Sequence, residues 1–242
     1  IDVALDPIEG STIAAKAKAN AISVVAAAQR GGFMAAPNLY MEKLAIGPGH
    51  GADVLDLEAP TGEIAMRLAR SKGVDVSEIT ACVLDRPRHE KIIADLRRAG
   101  ARVNLIGDGD VAAVIHTALP GSGVDLYAGE GGAPEGVLAA AAVKCVGGQM
   151  QARLAVRSNA DRRIAEEAGL SDLQKLYSAE DMATGMVVFT ATGITRGNLL
   201  DGVVRTAGIF ETHTLVMTSW DGVLKRVRAS IPRSLLDKGE HD

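Results

Sequence analysis

The sequence predicts an α/β fold with a largely parallel sheet region, and three observations carry that reading. Between residues 79 and 150, short β-type runs alternate with helical periodicity, the pattern of strands covered by helices. After Gln149 the rhythm changes to strand-like runs, the last two flanking Trp220-Asp221-Gly222, a hairpin signal. The 242 residues are 47% hydrophobic and 23% charged, with a mean hydropathy of +0.13, enough apolar material for a core. Three regions follow: 1–78, with a candidate metal and phosphate site; 79–150, alternating β/α; and 151–242, a helix plus antiparallel strands.

In chain order, apolar residues at 1, 3 and 5 mark a strand with one buried face. Residues 13–19 have helix-forming composition. The wholly apolar run 21–28 reads as a strand buried on both faces, and 41–46 as another. Residues 60–72 are amphipathic, with Ile64, Met66 and Leu68 at helical spacing. Strands are expected at 79–84, 103–106 and 124–128. Helices are expected at 88–99, with Ile92, Ile93 and Leu96 inward; at 111–118, through Val111, Val114, Ile115 and Ala118; and at 134–146, opened by Pro134 and closed by Gly147-Gly148. Residues 159–168 read as a charged helix, 186–191, 202–205, 212–219 and 223–229 as strands, and 233–242 as a frayed polar tail.

Net charge is −4, pI about 5.8 and aromatic content 3%, which argues against a nucleic-acid surface and base-stacking platforms. Cys82 and Cys145 lie in apolar surroundings and read as buried thiols of a reducing compartment, so a cytoplasmic location is expected. No run of about 18 apolar residues occurs, and no signal peptide is visible. The chain opens at Ile1 in mid-strand, so an upstream segment that could add ligands is expected.

The chemistry centres on Asp6-Pro7-Ile8-Glu9-Gly10-Ser11-Thr12, read as a strand-to-helix corner. A helix start can hold phosphate. Two carboxylates beside that anion invite a hard divalent cation, Mg²⁺ or Mn²⁺; an ordinary capped turn is the alternative. Three further corners end strands. In Asp85-Arg86-Pro87-Arg88-His89, two guanidinium groups can clamp a phosphate, or merely open a solvated helix. In Asp108-Gly109-Asp110, carboxylates can accept from sugar hydroxyls, or Asp110 can cap the next helix. In Gly129-Glu130-Gly131-Gly132-Ala133-Pro134-Glu135-Gly136, glycines admit a ligand close to the backbone. Glu135 there is either a third metal ligand or a partner of the helix dipole. The five histidines show no metal spacing, and no Walker A, GxSxG or complete GxGxxG motif occurs.

These motifs, taken with Tyr40-Met41-Glu42-Lys43-Leu44 and Ala191-Thr192-Gly193-Ile194-Thr195, resemble the bacterial class II fructose-1,6-bisphosphatases, within the lithium-sensitive metal-dependent phosphatases. The resemblance implies a layered α-β-α-β-α sugar-phosphatase sandwich and hydrolysis of the 1-phosphate of fructose 1,6-bisphosphate. Sedoheptulose 1,7-bisphosphate is a second substrate of some members. It implies Asp6, Glu9 and Glu135 as metal ligands and Ser11 as the residue that orients or deprotonates the attacking water. Glu9, Gly10, Ser11, Tyr40, Arg86, Pro87, Arg88, Asp108, Gly109, Asp110 and Gly132 are implied as substrate contacts. The family usually has Thr where Ser11 stands, and it draws an Asp and a Glu from upstream of this motif. Trp220-Asp221 is similar to a metal motif of the inositol monophosphatase branch, but its position favours a hairpin turn. A homo-oligomer, dimer or tetramer, is expected. The alternatives are a non-catalytic sugar-phosphate-binding module and a related inositol or nucleotide monophosphatase.

Overall fold

The computed structural model describes residues 1–236. It opens with β1 (Asp2–Glu9), α1 (Ser11–Ala15), β2 (Ile22–Ala28), β3 (Tyr40–Ile46) and α2 (Thr61–Lys72). The alternating stretch then supplies β4 (Thr80–Leu84), α3 (Glu90–Ala99), β5 (Arg102–Ile106), α4 (Asp110–Thr117), β6 (Leu126–Gly132) and α5 (Ala133–Cys145). The remainder gives β7 (Gln149–Leu154), α6 (Asn159–Glu167), β8 (Tyr177–Ser178), α7 (Ala179–Met182), β9 (Val187–Gly193), β10 (Val204–Thr206), β11 (Ile209–Thr218), β12 (Leu224–Pro232) and α8 (Arg233–Leu236). Most of the expected tail lies outside the described residues.

The strands form two sheets. One is antiparallel and runs β1-β2-β9-β11-β10, with β12 also on β11. The other runs β5-β4-β6-β3-β7-β8 and is mixed. Among the described residues, parallel pairing is confined to β4 with β5 and β4 with β6; β3 meets β6 and β7 antiparallel. The largely parallel sheet is therefore corrected to three parallel strands. Alternation with helices sets those three, while their neighbours come from before residue 79 and after Gly148.

The cores show why the helices lie where they do. Leu138, Ala141 and Ala142 of α5 face the antiparallel sheet, and Val137, Ala140 and Val143 face the mixed one. A helix apolar all round belongs between two layers, and the GVLAAAAV run of α5 meets that condition. Helix α4 lies beside it. On the far side of the mixed sheet, Ile64 and Leu68 of α2 and Leu96 of α3 close a third core. The layers are thus sheet, α4/α5, sheet, α2/α3. The outer face of the antiparallel sheet carries exposed Val3, Leu5 and Val25, and the described residues do not show the fifth layer of the expected sandwich.

Several local readings change. Strand β1 runs through Asp6-Pro7-Ile8 to Glu9, with a register shift between Asp6 and Glu9, so the corner comes at Gly10 (φ 82°). Helix α1 has only five residues, a weak base for the expected phosphate site. Strand β2 alternates in burial, with Val25 40% exposed, because its outer face is uncovered. Met66 faces outward on α2. Arg88 and His89 belong to a 3₁₀ turn at Pro87–His89 before α3. Gly129 to Gly132 is strand, where a loop was expected. The β11–β12 hairpin stands as expected, with Asp221 accepting from the Val223 N–H at 3.0 Å and Gly222 at φ 63°.

Candidate active site

Buried polar side chains mark the site. Glu9, Lys43, His89, Asp110 and Glu130 are each under 9% exposed, although they come from β1, β3, the turn before α3, α4 and β6. Groups of this kind stay buried only where partners compensate them.

The centre is Lys43. Its stem passes Gly136, and its ammonium pairs with the Asp110 carboxylate and donates to the Gly132 carbonyl at 3.2 Å. Tyr127 donates to the same Asp110 oxygen at 3.5 Å. Burial foremost, then the Asp110 charge, pushes the Tyr127 hydroxyl well up, so it remains a donor. Glycine is required at 131 because a Cβ there would overlap Asp110 Oδ2 and come within 3.0 Å of Lys43 Nζ.

Beside this cluster, Glu9 accepts from the Val111 N–H at 2.9 Å. Its proton affinity is raised well above the ordinary carboxylate value, first by burial and then by the Asp110 charge, with Asp6 adding to both. Asp6 itself accepts from the Ile8 N–H at 3.0 Å. Asp108 takes the Thr12 N–H at 3.3 Å and the Gly109 N–H at 3.1 Å, tying α1 to the corner before α4. Gly109, at φ 86°, makes that corner. Glu135 folds back over Gly132. The three expected metal ligands are not gathered: among the described residues, no group of three or more His, Cys, Asp or Glu side chains is placed to hold a metal ion. Ser11 is exposed at the start of α1.

The two arginines of the expected clamp diverge. Arg88 stacks 4.9 Å from the centroid of the Tyr40 ring and donates to the Glu130 carbonyl at 2.9 Å. Arg86 reaches the Gly107 carbonyl at 2.7 Å and lines, with Asp108, a separate cavity of about 430 Å³. Pro87 opens the turn that points them apart. Glu130 is held by Arg157 and faces Arg88 at 3.8 Å.

His89 locks this corner to β6. Its Nδ1 bonds the Leu84 carbonyl and its Nε2 takes the Glu130 N–H, both at 2.8 Å. Those partners fix Nδ1 as the protonated nitrogen. Burial, the largest cause, lowers its pKa below 6.5. His89→Phe is expected to cost about 1–3 kcal/mol by stranding two buried partners. A lowered folded pKa means that His89's contribution is complete above the unfolded value near 6.5 and is lost as pH falls below it. Denaturant titrations should therefore show the gap between wild type and His89→Phe shrinking from pH 7.5 to pH 5.5, values bracketing the unfolded pKa of about 6.5. A gap that is constant or widens refutes the assignment.

Lys43, His89, Tyr127, Glu130 and Gly131 were not among the expected site residues. Strand alternation could have exposed Lys43, which shares a face with Met41 and Ala45. His116 lies on α4 and lines the 430 Å³ cavity. Cys82 and Cys145 are free and buried, both thiols pushed up to about 12 by burial. Among the described residues no helix is long and apolar enough to cross a membrane.

Residues 1–231 match the family model described as bacterial fructose-1,6-bisphosphatase, glpX-encoded. The chain is 40% identical to fructose-1,6-bisphosphatase 1 class 2 of Escherichia coli K12, with 95% of this chain and 72% of that protein covered. The class 2 fructose-1,6-bisphosphatases of Escherichia coli O6:H1 strain CFT073 and of Shigella flexneri match at the same identity and coverage.

Proposed function

Because the chain belongs to the bacterial, glpX-encoded fructose-1,6-bisphosphatase family, we propose that it hydrolyses the 1-phosphate of fructose 1,6-bisphosphate, releasing a 6-phosphate sugar and inorganic phosphate. The observation that carries the reading is the meeting of Asp110 and the Gly131–Gly132 backbone around one buried ammonium, with Glu9 beside Asp110. That arrangement offers carboxylate acceptors to the hydroxyl groups of a sugar.

The family is metal-dependent, and carboxylate is the ligand type a hard cation takes, although Asp6, Glu9 and Glu135 are not gathered into a closed site among the described residues. Glu9 lies buried near Asp6 and Asp110 with too little positive charge nearby, since Lys43 is engaged on Asp110. Asp6, Glu9 and Glu135 are the residues that would hold Mg²⁺ or Mn²⁺. When bound, such an ion supplies Lewis acidity toward the phosphoryl group and the attacking water. The remaining work belongs to the chain. The Ser11 hydroxyl orients the water, and the Gly10 backbone faces the phosphoryl oxygens. Asp108, Gly109, Asp110 and Gly132 fix the sugar. Arg88, braced on Tyr40, grips the distal phosphate, and Arg86, beside Pro87, bounds the sugar from the Asp108 side. Binding the phosphate that does not react holds the other in line. The free thiols support a reducing, cytoplasmic setting, and the exposed Val3, Leu5 and Val25 support a homo-oligomer.

Phosphate release from fructose 1,6-bisphosphate by the full-length protein with Mn²⁺ tests the reading. Sedoheptulose 1,7-bisphosphate, inositol phosphates and nucleotides serve as competing substrates. Binding without release would identify a non-catalytic module, and preference for a monophosphate would identify a different phosphatase. Arg88→Ala should raise KM for the bisphosphate by roughly 10- to 100-fold, the worth of a charge-assisted contact, and leave a monoester nearly unaffected. Equal effects on both substrates rule out the distal grip.

A further inference from the structure

A buried ammonium is unfavourable unless it is paired and hydrogen-bonded where it lies. Lys43 is 1% exposed, and Met41 and Ala45, which share its face of β3, are fully buried and apolar. Nothing in that strand calls for a charge. The ammonium instead meets parts of the site. It pairs with Asp110 at the start of α4, donates to the Gly132 carbonyl at the end of β6, and abuts Gly131. Asp110 in turn bears electrostatically on Glu9 of β1. The start of α4 and the end of β6 are thus referred to one atom.

We propose that Lys43 is a positioning residue of the phosphatase site: it fixes the Asp110 carboxylate and the Gly131–Gly132 backbone at one separation, so that the sugar-binding edge is set before substrate arrives. The inference rests on reading Asp110 and Gly132 as substrate contacts. Lys43 acts through them and touches no substrate itself. A merely structural ion pair would change how much protein folds and leave the KM of the folded fraction untouched.

The test is a double-mutant cycle in kcat/KM for fructose 1,6-bisphosphate, with folding followed by circular dichroism. Lys43→Met and Asp110→Asn should each lower kcat/KM by roughly 10- to 100-fold. The double variant should lose no more than the worse single one, because the two side chains act as a unit. Losses that multiply overturn the proposal. So does a fully active Lys43→Met alongside an impaired Asp110→Asn, an outcome that leaves the active-site reading standing. A fully active Asp110→Asn removes that reading and the inference together. If Lys43→Met does not fold, Lys43→Arg decides. A planar guanidinium keeps the charge but cannot take the place of a compact ammonium. In the folded fraction of that variant KM for the bisphosphate should rise about tenfold; an unchanged KM overturns the proposal.

Discussion

Replacing Glu9 by Gln should abolish turnover while leaving the melting temperature of the metal-free protein unchanged or higher. The amide oxygen of Gln can keep the bond from the Val111 N–H, so the buried donor stays satisfied. What disappears is a charge opposed by burial, by Asp110 and by Asp6. Removing one of several crowded carboxylates relieves the folded state and not the unfolded one, where water screens them. The cost appears only in function, since a neutral amide is a poor ligand for a hard cation. Thermal melts with and without Mn²⁺ separate the two effects: ligand binding raises the wild-type midpoint by mass action, and the variant should not respond. A Glu9→Gln protein that melts well below wild type without metal would show that the carboxylate serves the fold. One that turns over normally would remove Glu9 from the site.

Gly131→Ala should damage stability and activity together. The backbone at Gly131 is ordinary strand with no positive φ, so strain in the main chain plays no part. The new Cβ would overlap Asp110 Oδ2 and lie 3.0 Å from Lys43 Nζ. Both atoms are buried and bound to each other, so neither can swing into solvent. Overpacking of this kind costs about 1–3 kcal/mol. In a chain of this size that lowers the melting midpoint by roughly 2–12 °C. Displacing Asp110 by about 1 Å should cost activity about 100-fold. Stability and kcat/KM should therefore fall together. A variant with wild-type kcat/KM would show that the Lys43–Asp110 pair has room to move and fixes nothing.

Much of the fold was written in local pattern. Apolar periodicity placed α3, α4 and α5, and the Asp221-Gly222 turn placed the β11–β12 hairpin. What failed did so where partners are distant in sequence. Asp6-Pro7 reads as the end of a strand because proline lacks a ladder donor. Yet β1 is the edge of its sheet and its register shifts there, so the missing donor costs little. Gly129 to Gly132 reads as loop because glycine is poor in strands. The strand tolerates it since Lys43 and Asp110 fill the space a side chain at 131 would need. The parallel sheet was overextended because β3 and β7, which complete it antiparallel, lie outside the alternating stretch. Of the residues proposed for the site, Asp6, Glu9, Asp108, Asp110 and Gly132 stand out in the sequence as polar or glycine residues at strand ends. Lys43 was overlooked inside an apolar strand, where alternation assigns it to the buried side and so demands an anion beside it.

Glu9 hangs from the antiparallel sheet, while Asp110 and Gly132 follow strands of the mixed sheet, and the Glu9–Val111 bond bridges the seam between them. On the proposed site, neither half carries a usable centre alone. Enzymatic competence is thus a gauge of assembly: a collapsed intermediate in which both sheets had formed but not yet docked would look nearly native by its secondary structure and remain chemically silent.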